Sequence, residues 1–268
     1  GSGTIGGSHD LTLTGSMSGA GSLTKTGAGS LTFTHANGTQ TGALRLEAGT
    51  LAAGGDAAFG LGPLTLAGGT LSASGASHTL ANTVAIESDT TIGGSFDLTL
   101  QGTISGLAAS TLTKTGTGTL TFAGTNTFAG TTQVLGGLVQ FATADGLGTG
   151  ALTLDGGGLR WAAGTTADIS SRLAALGPNG AHFDTNGNDV TFASALSGGA
   201  LIKAGAGTLT LAASNTFTGD VTATGGLVEF SALNNLGSGS IILNGGGLRW
   251  ATGSSVDVSP RLAALGDG

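Results

Sequence analysis

A single step length organises this chain. Leu23, Lys25 and Gly27 recur as Leu112, Lys114 and Gly116, and again as Leu201, Lys203 and Gly205, each time 89 residues further on. Residues 112–177 and 201–266 align without gaps and share 37 identities in 66 positions. The run from Gly156 to Ala162 reappears whole from Gly245 to Ala251, so these two copies are a duplication. The first copy is more divergent: Gly68-Gly69-Thr70-Leu71 replaces the triple-glycine run, and small gaps are needed. Self-similarity at a fixed period marks units that cannot bury an apolar face alone and must stack to do so. The three copies span about 23–111, 112–200 and 201–268, the last truncated, within one domain from residue 4. Gly1, Ser2 and Gly3 read as a cloning remnant, because the internal homology starts where Thr4-Ile5 matches Thr91-Ile92.

Inside each copy a second, shorter pattern alternates apolar residues with threonine. Leu11-Thr12-Leu13, Leu31-Thr32-Phe33, Leu64-Thr65-Leu66, Leu98-Thr99-Leu100, Leu120-Thr121-Phe122, Leu152-Thr153-Leu154, Val190-Thr191-Phe192 and Leu209-Thr210-Leu211 all carry it. Alternate residues of a strand point to opposite faces, so these are short strands with leucine or phenylalanine inward and threonine outward. Glycine, asparagine, serine or aspartate separates nearly every run, as turns require. Arg172-Leu173-Ala174-Ala175-Leu176 and its copy at Arg261 hint at a helical turn. Many short strands suit a sandwich, a propeller or a solenoid. The arithmetic favours an all-β solenoid: at about 22 residues per coil, 89 residues make roughly four coils and the chain about twelve. A propeller would show blades of about 40 to 50 residues, and the internal match at half the repeat is poor.

Composition removes several function classes. Eight basic residues face 15 acidic ones, for a net charge of −7, and no basic cluster gives a grip on phosphates, so nucleic acid is not an expected partner. No stretch of 18 apolar residues and no leader-like start occur, so membrane insertion by these residues is not expected. With no cysteine, the chain suits a reducing cytosol or a secreted protein that must remain threadable.

The residues themselves carry a family resemblance. Leu112-Thr113-Lys114-Thr115-Gly116-Thr117-Gly118-Thr119-Leu120-Thr121-Phe122 is followed by Asn126-Thr127-Phe128-Ala129-Gly130 and then by Gly136-Gly137-Leu138. This resembles the passenger-associated transport repeat of autotransporters, the type V secretion proteins. The third copy matches from Leu201 to Leu211 and at Asn215-Thr216-Phe217. The first matches from Leu23 to Phe33 and at Asn37, but Thr39 stands where phenylalanine is expected. The resemblance implies a single-stranded, right-handed parallel β-helix, displayed at the surface of or secreted from a Gram-negative bacterium, with its signal peptide and translocator barrel outside these residues. It implies a structural or adhesive passenger active in adhesion, autoaggregation or biofilm, and one that supports its own secretion and folding. Lys25, Lys114, Lys203, Asn37, Asn126 and Asn215 are the structural positions of the repeat.

No residues assemble an obvious catalytic site, and no cofactor or metal is expected. Asp184-Thr185-Asn186-Gly187-Asn188-Asp189 starts like a calcium loop, but Asp189 takes the glycine position and Ala195 the bidentate glutamate position, so it reads as an Asn-Gly turn. The acids are scattered, whereas hydrolysis of polysaccharide needs a carboxylate pair in one cleft. His9, His35, His78 and His182 lack the spacing of a zinc pair and read as surface or turn residues. Arg160 with Trp161, and Arg249 with Trp250, are the candidate ligand-binding residues, since indole stacks on sugar and guanidinium bonds hydroxyls. Against this, Trp161 shares strand parity with Leu159, a position of the core. The three lysines read as solvated charges that blunt strand edges. The expected partners are a second β-helix, through ladders of outward hydroxyls, or a glycan, host or matrix ligand. A polysaccharide-processing enzyme and a secretion scaffold alone are the alternatives.

Overall fold

Leu64–Leu66, Thr70–Ala73 and His78–Leu80 show how the sequence sets one coil. Each is a short strand ended by a turn, and after the third the chain returns at Val84 to lie beside Leu64, hydrogen-bonded in parallel. The chain is an all-β parallel β-solenoid of about 12 turns in the computed structural model, which describes residues 1–263. The end of the third repeat, residues 264–268, lies outside the described residues. The coil is shorter than expected: partners in successive coils are mostly 20 residues apart, as in Leu44↔Leu64 and Leu201↔Val221, instead of 22.

Two compact units divide the chain, residues 1–133 with 145–150, and residues 134–144 with 151 onward. In unit 1, sheet I contains Ser2–Ile5, Ser22–Lys25, Leu44–Leu46, Leu64–Leu66, Val84–Ile86 and Ile104–Gly106. Ser2 and Gly3, set aside in the sequence, take part in its first strand. Sheet II runs through Leu11–Leu13, Ser30–Phe33, Thr50–Ala53, Thr70–Ala73, Thr90–Gly93 and Thr111–Lys114. Sheet III holds His78–Leu80, Leu98–Leu100 and Thr119–Phe122. In unit 2, sheet IV contains Leu138–Phe141, Gly158–Trp161, Ala181–Asp184, Leu201–Ala204, Val221–Ala223 and Ile241–Leu243. Sheet V contains Val190–Phe192, Thr208–Leu211, Leu227–Phe230 and Gly247–Trp250.

The core is a set of inward ladders. Leu31, Leu51, Leu71 and Ile92 stand one above another in sheet II, each at most 2% exposed. Burying such a side chain is worth about 1.5–3 kcal/mol, gained only when the next coil covers it. Their strand neighbours Thr50, Thr70 and Thr91 face outward, as alternation demands.

The 89-residue step exceeds four 20-residue coils by about one strand and its turn. Each copy is therefore displaced onto the next side of the solenoid. In unit 1, Ser22–Lys25 lies in sheet I and its copy Thr111–Lys114 in sheet II, while Ser30–Phe33 of sheet II recurs as Thr119–Phe122 of sheet III. In unit 2, Leu138–Phe141 and Gly158–Trp161 of sheet IV recur as Leu227–Phe230 and Gly247–Trp250 of sheet V. The helical turns suggested at Arg172 and Arg261 shrink to the 3-10 turns Ser170–Arg172 and Ser259–Arg261. Leu173 and Leu262 are extended and bridge to Leu152 and Ile241, because a strand partner one coil away wins over a short helix.

Candidate functional site

The three lysines of the repeat are buried, not solvated, at 2%, 2% and 0% exposure for Lys25, Lys114 and Lys203. Lys25 shares strand parity with Leu23, so its side chain enters the core with the leucine. Two residues later, Gly27, Gly116 and Gly205 adopt φ of +70°, +70° and +67°, a left-handed bend that other residues resist. The ammonium bonds the carbonyls of that bend. Lys25 Nζ donates to Thr26 O at 2.7 Å, Gly27 O at 2.8 Å and Ala48 O of the following coil at 3.0 Å. Lys203 Nζ repeats this with Ala204 O, Gly205 O and Gly225 O, and Lys114 Nζ with Thr115 O and Gly116 O. Room for the ammonium comes from a glycine in the next coil, since a Cβ on Gly49 or Gly226 would lie 2.7 Å from Nζ.

Burial pushes the pKa of Lys25 down, and those of Lys114 and Lys203 down to about 8. The unfolded chain keeps these protons up to its ordinary value of 10.5. Between about pH 8 and 10.5 the unfolded state therefore binds more protons, and stability rises with pH across that window. With three lysines and no tyrosine or cysteine, no other side chains titrate there. Melting followed by circular dichroism should show a higher Tm at pH 10 than at pH 7.5; a lower one contradicts the burial.

The repeat's asparagines form a second set of staples. Asn126 Oδ1 accepts from Ile104 N at 2.8 Å, and its Nδ2 donates to Gly146 O at 2.6 Å, linking the coils before and after it. Asn37 does the same between Met17 N and Ala58 O, and Asn215 between Leu196 N and Asn235 O. Replacing Asn126 with alanine takes the acceptor from the buried Ile104 N–H, so about 2 kcal/mol should be lost, measurable by urea unfolding. Phe128 is buried edge-on against Phe122, their centroids 6.1 Å apart. In the first copy Thr39 is exposed, and Phe59 of the next coil fills the gap, meeting Phe33 edge-on at 5.8 Å.

The scattered acids have a common backbone task. Asp10, Asp56, Asp89 and Asp97 in unit 1 accept from Ser30 N, Thr79 N, Thr111 N and Thr119 N at 2.7–2.8 Å, one coil further on. Asp155, Asp189 and Asp220 in unit 2 bond Asn179 N, Thr208 N and Ser240 N likewise at 2.8 Å. These bonds hold the carboxyls of Asp10, Asp56 and Asp189 below the usual range. The Asn-Gly turn is as expected, with Asn186 at φ +49° and Gly187 at +86°; Asp184 Oδ1 accepts from Asn186 N and its other oxygen lies 3.4 Å from Arg160 Nε. Among the described residues no three His, Cys, Asp or Glu side chains gather as a metal site. His9 and His35 are exposed, whereas His78 and His182 are partly buried strand residues.

The arginine and tryptophan candidates do not form joint platforms. Trp161 is fully buried, with Phe141, Phe183 and Phe192 at 5.1–6.4 Å and Nε1 donating to Ala167 O at 3.0 Å. Arg160 points to the opposite side of the strand, towards Asp184 and Asn186. Trp250 is 42% exposed but stacks on Phe230 and donates to Val256 O, and Arg249 pairs with Glu229. No described aromatic ring covers Trp250 as Phe183 and Phe192 cover Trp161.

The passenger-associated-transport-repeat family matches the chain three times, over residues 23–53, 112–141 and 201–230. The chain carries three autotransporter passenger repeats. Each match begins at the leucine before a buried lysine and takes in the asparagine staple, so the passenger repeat is a unit of coil-to-coil bonding. It implies a surface-displayed or secreted chain of a Gram-negative bacterium. No helix of the described residues is long and apolar enough to cross a membrane. No curated protein and no solved structure matches the chain.

Proposed function

We propose that the chain is a non-catalytic passenger stalk that supports secretion by folding outside the cell and makes adhesive contacts with its outward faces. The observation that carries this reading is the direction of the repeat's own residues. Lysine and asparagine in every copy, and phenylalanine in the second and third, turn inward, and the lysines and asparagines tie one coil to the next, while seven aspartates serve as backbone acceptors and three glutamates pair with arginine. Stepwise folding of stacked coils can draw a threaded chain outward, because each added coil buries apolar surface on the last. In the full-length protein, removing two staples with K114M and K203M should lower the amount displayed on cells. Beads coated with the native chain should adhere to beads bearing the same chain, a matrix component or a polysaccharide. Native display without the staples contradicts the secretory half, and beads that adhere to nothing contradict the adhesive half. Sugar release from a polysaccharide panel, abolished by replacing one acid, contradicts the non-catalytic reading.

A further inference from the structure

On the outward side of sheet IV in unit 2, the register partners Leu138, Gly158, His182 and Ile202 form one row, and Gln140, Arg160, Asp184 and Ala204 form the next. Gly158 breaks the first row. A Cβ there would lie 2.1 Å from His182 O, so the close approach of the two coils requires glycine. Beside this break lies a cleft of about 230 Å³, lined by Gly137, Leu138, Gly156, His182, Asp184 and Ala204.

Of the lining residues, Asp184 has a polar atom without a partner, and so does its neighbour Arg160. Asp184 Oδ1 accepts from Asn186 N, but Oδ2 accepts no hydrogen bond among the described residues, although only 17% of the side chain is exposed. Arg160 Nε, 3.4 Å from that oxygen, is shut from solvent and makes no hydrogen bond. The guanidinium is held through its NH2 group, by Asn186 Oδ1 at 3.1 Å. In the third copy the arginine is satisfied: Glu229 stands where the second copy has Gln140, and it pairs with Arg249. His182 is half-buried, and burial pushes its pKa down, so the neutral ring offers one donor and one acceptor.

We infer that this cleft binds one neutral sugar residue of a polysaccharide; the inference deepens the adhesive reading above and rests on it. The Asp184 oxygen needs a donor and the Arg160 nitrogen an acceptor, and a hydroxyl is both at once. An amine would suit the carboxylate but be repelled by the guanidinium, and an acid would meet the reverse. Leu138 and the imidazole offer apolar surface to the C–H face of a sugar ring. The volume lies below the roughly 300–1,000 Å³ of sites for drug-sized ligands, so the cleft holds one ring. One such contact is weak, with a Kd of about 1 mM, and the polymer is held through many copies on one surface.

The chain has four histidines, so ring-proton NMR follows His182 as the signal lost in H182N. Glucose, galactose, mannose and N-acetylglucosamine are added in separate titrations. At least one should shift the His182 signal and leave those of the exposed His9 and His35 in place. A204L fills the cleft and keeps every polar side chain, and D184N keeps the acceptor for Asn186 N while removing the charge. Each should weaken binding by about tenfold, and D184N decides where A204L lacks a native circular dichroism spectrum. T210V, outward on sheet V, should bind as the native chain does. In parallel, beads coated with the native chain should hold beads bearing dextran, mannan or galactan, and beads coated with either cleft variant should not. No shift with any of the four sugars overturns the cleft as a sugar site, as does a shift that both variants retain. Polysaccharide adhesion retained by both variants overturns the site and leaves the adhesive reading standing. A shift in solution from native beads that hold nothing overturns the adhesive reading and, with it, the polymer as ligand.

Discussion

Lys203→Met should destabilise the chain by about 4 kcal/mol, a large loss for a single side chain. Methionine matches the length of the lysine stem, so packing is kept and the effect isolates the ammonium. Without it, Ala204 O keeps only the N–H of Thr185, and the carbonyls of Gly205 and Gly225 lose the donor that reaches them. Each buried acceptor left unbonded costs about 1–3 kcal/mol. Arginine should not rescue, because its planar head is larger than the space that Gly226 leaves beside Nζ. Urea unfolding followed by circular dichroism checks both variants. The loss should appear as early melting of the coils around 203, since a solenoid unfolds in neighbouring blocks when one interface is weakened.

Trp161→Ala should cost about 4 kcal/mol, within the span for truncating a large buried aromatic. Its indole fills the space between Phe141, Phe183 and Phe192 and ties its own coil through Ala167 O, so truncation opens a cavity and frees a carbonyl. Trp250→Ala should cost much less, because 42% of that side chain is already exposed and only Phe230 stacks on it. Comparing the two by urea midpoint separates core packing from repeat identity, as the residues and their immediate neighbours are the same.

The strands were legible in the sequence because alternation is local: Leu64-Thr65-Leu66 needs no knowledge of its partners to show its inward side. The same parity rule placed Trp161 inside, and it applies equally to Lys25 beside Leu23, where the charge of lysine argued for solvent and the geometry overrode it. What the lysine needs is a set of carbonyls, and every residue has one, so the partners leave no mark in the sequence. The aspartates and asparagines were obscure for the same reason. Asp89 holds Thr111 N, and Asn126 holds Ile104 N and Gly146 O, groups about 20 residues away whose side chains play no part. A common coil length of about 22 residues makes 89 residues roughly four coils, whereas most register partners lie 20 residues apart, which 89 does not hold a whole number of times. The shift of Ser22–Lys25 and its copy between sheets I and II shows that the repeat is set by how coils bond, and the three sides of the coil are alike enough for one sequence to serve on each. The exchange of Thr39 and Phe59 was likewise hidden, since the compensating ring arrives from the next coil.

The claim that the repeat is a set of internal staples can be read most directly from the lysine ammonium groups, of which there are only three. In a chain labelled with ¹⁵N-lysine, all three Nζ resonances should be visible at neutral pH with slow hydrogen exchange, and those of Lys114 and Lys203 should titrate near pH 8. Resonances broadened by rapid exchange, with midpoints at the ordinary 10.5, would place the amines in water and contradict the account.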